Sequence, residues 1–165
     1  MSFGEDAGTD LATARGRDWP SVRQFNIFVA NRVGALVNVF RCFENTDVRV
    51  LSLTIIDTAD CAIVRLVLSD PERAVEIFER AGLMYTESDL LVVQLPDGNQ
   101  PLLQICKALL SGEVNLHYAY PLLVGPHGVP SLALYVEDHE LAVQTLTSKG
   151  FTVFTENDLN DTPSY

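Results

Sequence analysis

The chain has 165 residues, 47% of them hydrophobic, and carries 22 acidic against 11 basic side chains for a formal net charge of −11. That length and apolar share suffice for one full core or two small ones. The negative field repels phosphate backbones and anionic bilayer surfaces, which argues against nucleic-acid and membrane partners. No apolar run is long enough to cross a bilayer, and the first residues lack a basic-then-apolar leader. Cys42, Cys61 and Cys106 are odd in number and lie in apolar surroundings. They read as buried, reduced thiols of a cytoplasmic protein. No Cys–His spacing resembles a zinc site, so neither a metal nor a cofactor is expected.

Residues 1–22 are rich in Gly, Ala, Thr and Asp without periodicity and read as a flexible extension, closed by Trp19-Pro20. Phe25, Ile27 and Val29 then alternate with Gln24, Asn26 and Phe28, the pattern of a strand with two unlike faces. Leu36, Val39, Phe40 and Phe43 follow at helical spacing. Between strand and helix stands Asn31-Arg32-Val33-Gly34-Ala35-Leu36. Gly34 permits the sharp turn, and the first helical amides are left free in a position that suits a carboxylate or phosphate. Turn chemistry by itself also accounts for Asn31 and Gly34.

Val48 to Asp57 reads as a second strand, with Leu51, Leu53 and Ile55 on one face and Ser52, Thr54 and Ile56 on the other. Asp57-Thr58-Ala59-Asp60 is a hairpin turn and Cys61 to Leu68 a third strand. A well-marked helix comes next, with Asp70 as its cap, Pro71 at its first position, Ala74, Ile77, Phe78 and Ala81 on its stripe and Gly82 past its end. A short strand near Met84 to Thr86 completes a βαββαβ order, which builds an antiparallel sheet with both helices on one face.

The pattern then recurs. Leu91 to Leu95 is a strand, Asp97-Gly98-Asn99-Gln100 a turn, and Pro101 opens a helix with Leu102, Ile105, Cys106 and Leu109 on its stripe. Val114 to Leu123 and Ser131 to Val136 are strands flanking Gly125-Pro126-His127-Gly128, and Asp138 caps a helix that ends at Lys149-Gly150. Ala81-Gly82-Leu83 and Thr86-Glu87-Ser88-Asp89-Leu90 reappear as Lys149-Gly150-Phe151 and Thr155-Glu156-Asn157-Asp158-Leu159. This is an internal duplication with a period of about 68 residues.

Over about Arg23 to Leu159 the chain resembles the ACT domains, and in particular stand-alone proteins of two ACT domains in tandem. The resemblance rests on the duplication and on three phrases in order: Asn31-Arg32-Val33-Gly34-Ala35-Leu36, Leu51-Ser52-Leu53 with Asp57-Thr58-Ala59-Asp60, and Asp70-Pro71-Glu72-Arg73-Ala74. It implies an α+β fold of two ferredoxin-like βαββαβ units, residues 23–88 and 89–159, followed by a tail at 160–165. It further implies that the sheets lie side by side through their second strands with the helices on one face. Amino acids are the ligands it implies, bound where units meet, with Asn31, Arg32, Val33, Gly34, Ala35 and Leu36 at the turn and Ser52 and Thr54 on the second strand. Val33 stands where the family usually has proline, and Gln100 where the second turn would have glycine. With Pro101 offering no N–H, the first turn is expected to hold the tighter site.

Asp97 is a candidate for a ligand ammonium, and His117 for a contact at the border of the seam; His127 and His139 read as exposed residues. Tyr118, Tyr120 and Tyr135 read as interface packing. No histidine or cysteine sits in a recognisable catalytic motif, so no catalytic residue is expected. The sequence thus points to an amino-acid-binding regulator without chemistry of its own, forming a homodimer. Its rivals are the regulatory subunit of an amino-acid biosynthetic enzyme, similar to the small subunit of acetolactate synthase, and a small histidine-dependent enzyme.

Overall fold

The computed structural model describes residues 19–165; most of the expected extension at 1–22 lies outside them. Seven strands form one antiparallel sheet, ordered β2-β3-β1-β4-β6-β5 with β7 paired to β4. The strands are β1 (Val22–Ala30), β2 (Val50–Asp57), β3 (Cys61–Leu68), β4 (Tyr85–Gln94), β5 (Leu116–Pro121), β6 (Ser131–Val136) and β7 (Val153–Phe154). Among the described residues four helices accompany them, α1 (Ala35–Arg41), α2 (Pro71–Ala81), α3 (Pro101–Ser111) and α4 (His139–Ser148). This is the α+β arrangement of two ferredoxin-like units that the duplication implies.

The two units lie side by side in one sheet and share a strand. The two short strands expected near Met84–Thr86 and Leu91–Leu95 are one strand, β4, whose first part pairs with β1 and whose residues 91–94 pair with β6. Leu91 and Val93 enter the core under α3 and α4, while Leu90 and Val92 enter a second core on the opposite face. Apolar burial on both faces explains the unbroken run Leu90-Leu91-Val92-Val93.

The helix-free face folds over onto itself. The second strands, β2 and β5, stand at opposite ends of the strand order, yet the Leu123 N–H donates to the Leu51 carbonyl at 2.7 Å and Ser52 Oγ donates to the Pro121 carbonyl. They touch at this corner and not along a full ladder. Inside the fold lie Val22, Leu51, Val67, Leu90, Val92, Tyr120 and Leu122. Tyr118 and Tyr120 therefore pack between the two halves of one chain, where Tyr118 Oη accepts from Gln24 Nε2 at 2.8 Å.

Four local expectations need correction. A bulge between Val50 and Ser52 puts both Leu51 and Ser52 out of contact with solvent and leaves Leu53 and Ile55 exposed, so strict alternation along β2 fails. On α3, Leu102 and Cys106 are exposed and Ala108 joins Ile105 and Leu109 in the core, because a helix apolar on most sides does not specify one stripe. The cysteines are unpaired but none is buried: Cys42 and Cys61 are half-buried and Cys106 is exposed. His139, expected at the surface, is half-buried and bonds through Nε2 to the Pro20 carbonyl at 2.9 Å.

The end of the chain crosses back over the first half as a strap. After β7, a short 3-10 turn at Asn157–Asp161 follows Glu156, whose carboxylate accepts from Arg23 Nε at 2.8 Å, from Arg23 Nη2 at 3.1 Å and from the Arg23 amide at 3.0 Å. Arg49 donates to the carbonyls of Thr162 and Pro163. Burial works to lower the Arg23 pKa, but the Glu156 carboxylate, with Glu87 and Glu72 beyond it, more than offsets this and raises it.

Candidate functional site

Two clefts occupy the same place in the two units, each between the turn after the unit's first strand and the turn after its second helix. The first, of ≈ 290 Å³, is bounded by Ala30, Arg32, Ala35 and Asn38 on one side and Gly82, Leu83 and Met84 on the other. The second, of ≈ 300 Å³, is bounded by Leu95, Asp97 and Gln104 on one side and Lys149, Gly150 and Phe151 on the other. Gly82-Leu83 and Gly150-Phe151 are copies of one another in the duplication, and so the clefts are equivalent by descent within the chain.

Their chemistry differs. The first cleft is lined by one charged side chain, Arg32. The second has both signs, an exposed carboxylate at Asp97 and an exposed ammonium at Lys149. The sequence marks Lys149 only as the end of the helix that Asp138 caps. The signal that marks it is the repeat itself, which has Ala81 at the matching position.

The expected site residues separate into three groups. Arg32 and Ala35 line the first cleft and Asp97 the second. Asn31, Val33, Gly34 and Leu36 build the turn. Asn31 Nδ2 donates to Asp57 Oδ1 at 2.7 Å, tying the turn to the β2–β3 hairpin; Val33 is wholly exposed; Gly34 adopts φ +85 with open space around it; and Leu36 packs on the core beneath. The left-handed φ at Gly34 is what lets β1 turn into α1 without strain. Ser52, Thr54 and His117 line neither cleft. Ser52 is fully buried at the β2–β5 corner, Thr54 lies beside Arg65 on the helix-free face, and His117 is at a bulge of β5, its ring 5.5 Å from that of Tyr135.

The family model of an ACT domain pair matches residues 20–162. The chain belongs to the ACT domain family. No curated protein matches it in sequence. Among solved structures, this ACT pair is similar to a Bacteroides thetaiotaomicron protein, with a TM-score of 0.76 and 21% identity over 85% of this chain and 96% of that one. It is also similar to the ligand-free regulatory subunit of aspartate kinase from Thermus thermophilus, with a TM-score of 0.52 and 13% identity over 78% and 91% of the two chains. These likenesses concern the fold. The small subunit of acetolactate synthase from Thermotoga maritima matches at a TM-score of 0.35 and 9% identity over 80% of this ACT pair and 95% of that chain, too low to argue from.

Among the described residues, no group of three or more His, Cys, Asp or Glu side chains is placed to hold a metal ion. No described helix is long and apolar enough to cross a membrane.

Proposed function

We propose that this ACT pair is a regulatory protein that binds a free amino acid in its turn clefts and performs no chemistry of its own. The observation that carries the reading is the second cleft. Asp97 and Lys149 offer the two charges that complement an α-ammonium and an α-carboxylate, while Leu95 and Phe151 supply apolar wall for a side chain. The first cleft has the Arg32 side chain as a donor for a carboxylate but no acid for an ammonium. We assign the tighter site to the second cleft, against the expectation from turn amides alone.

A regulatory role agrees with the family and with the printed description of the Thermus thermophilus neighbour as a regulatory subunit. The unpaired cysteines agree with a reducing compartment, the cytoplasm. As partner we propose a second copy of the chain, or an enzyme whose activity the bound amino acid sets. Leu53 and Ile55, exposed on β2 at an end of the sheet, support the homodimer.

A thermal-shift screen of the full chain against the common amino acids tests the reading. A ligand that binds only the folded state at ~100 times its Kd adds ~2.7 kcal/mol. A stabilising hit that is lost in Lys149→Ala is expected. A flat response to every amino acid at millimolar concentration sinks the proposal.

A further inference from the structure

We propose that the helix-free face carries a second binding site, for a carboxylic acid with an apolar body and no ammonium group, with Arg65 as its anchor. This site shares only Phe28 with the first turn cleft, none of its residues with the second, and does not depend on the reading of either. The strand registers place Thr54, Arg65, Asn26 and Thr86 side by side across β2, β3, β1 and β4. The adjacent row, toward the open edge of the fold, is Ile56, Ile63 and Phe28. On the other side the face is closed by the buried residues Ser52, Val67 and Gln24 under Tyr118 and Tyr120. A polar row therefore stands where the closed part of the fold opens onto a half-buried apolar shelf.

Arg65 is the unusual member. Its guanidinium lies 4.1 Å from the centre of the Tyr118 ring, which in turn stacks on Tyr135 at 4.9 Å. Its Nε is buried without a hydrogen-bond partner, and among the described residues the guanidinium forms no ion pair. In so acidic a chain, an arginine held half-buried and without a carboxylate among the described residues is set apart from its surroundings. A buried unpaired donor is costly, and Nε itself is closed to solvent, so with one face of the guanidinium covered by tyrosine the edge left for a planar anion is that of its two terminal amino groups. A carboxylate matches that edge with two parallel hydrogen bonds.

The shelf selects the rest of the ligand. Ile56, Ile63 and Phe28 favour a hydrocarbon or aryl body over a phosphate ester. The row beside Arg65 consists of Thr54, Asn26 and Thr86, with no acid to receive an ammonium, and the Asn26 Nδ2 is already committed to Ser88 Oγ and Thr86 Oγ1. An aryl- or alkyl-substituted acid fits this row better than the amino acid of the same skeleton.

Titration of the full chain by calorimetry, with amide mapping by NMR, tests the assignment using 3-phenylpropionate as probe. The expected result is binding at least ~10-fold tighter than that of 3-phenylpropanol, which lacks the carboxylate, or of L-phenylalanine, which adds the ammonium. Arg65→Gln should weaken 3-phenylpropionate ~10-fold or more, with Arg65→Lys between the two, and Lys149→Ala should leave it unchanged. On the wild-type chain, the amides of Ile56, Ile63 and Arg65 should shift while those of Ala35 and Gly150 stay. Equal binding of acid and alcohol, equal or tighter binding of L-phenylalanine, unchanged affinity in a folded Arg65→Gln, shifts confined to the turn clefts, or no binding at all overturns the proposal. The alcohol and Lys149→Ala arms separate this outcome from failure of the amino-acid reading.

Discussion

The Tyr120 hydroxyl donates to the Gln24 side-chain oxygen at 2.5 Å, joining residues 96 positions apart and sealing the core between the two halves. Gln24 is fully buried and its amide group spends its other side on Asn26 and Tyr118. Tyr120→Phe removes the donor and leaves a buried acceptor unpaired, which should lower stability by ~1 to 3 kcal/mol in denaturant unfolding. A loss within experimental error would show that the network contributes nothing to the joint.

The same hydroxyl ties stability to alkaline pH. Burial pushes its pKa above that of an ordinary phenol, the neighbouring Tyr118 adds to this, and Arg65 opposes it. The folded state therefore keeps Tyr120 neutral where the unfolded chain ionises it, at about pH 10. Its contribution is complete below that pH and declines as pH rises beyond it. Unfolding free energy measured from pH 8 to 11 should fall more steeply in the wild type than in Tyr120→Phe.

Gly34 and Lys149 should separate structure from binding. At Gly34 the φ of +85 strains any side chain although no atom crowds the site, so Gly34→Val should cost ~1 to 3 kcal/mol. Lys149 is exposed, and Lys149→Ala should change stability by no more than ~0.5 kcal/mol while abolishing the amino-acid response. Thermal melts with and without ligand read both effects. The assignment fails if Lys149→Ala retains the full response.

Glu156 fixes the strap. Its side chain is 8% exposed, and the carboxylate holds both the backbone and the guanidinium of Arg23. Glu156→Gln keeps the shape but gives up the charge, and a loss of ~1.5 to 3 kcal/mol is expected for hydrogen bonds of this charged kind. Arg49 should then no longer keep the strap in place unaided, and hydrogen exchange should quicken around Thr162. Unchanged exchange there would mean that the Arg49 contacts suffice.

A second copy is the partner the exposed β2 residues support. Light scattering at micromolar concentration should return twice the 18.2 kDa chain mass, and Ile55→Lys should return the single mass. A single mass for the wild type removes the homodimer.

The helices and strands were readable because their apolar spacing and their caps agree. Asp70 and Asp138 do accept from the amides of Arg73 and Leu141, as their positions three residues before those amides suggest. Fusion of two strands into β4 was hidden by the polar stretch Thr86-Glu87-Ser88-Asp89, which looks like a loop until Gln24 and Asn26 on β1 are seen opposite Ser88 and Thr86. The bulge in β2 has no local mark, since Val50-Leu51-Ser52-Leu53 is compatible with either register. Asp97 stood out because it sits in a turn, whereas Lys149 and Arg65 acquire their meaning only from chain segments far away in sequence.

The shared strand β4 has a further consequence for how the duplicated gene product holds together. Its tenth residue pairs in the second unit and its first in the first, so no loop separates the halves for a protease to nick or for a hinge to use. Cutting the chain between residues 90 and 91 would leave each fragment with a raw strand edge, a template for fibrous self-association rather than a smaller working domain. The two halves should therefore unfold in a single transition.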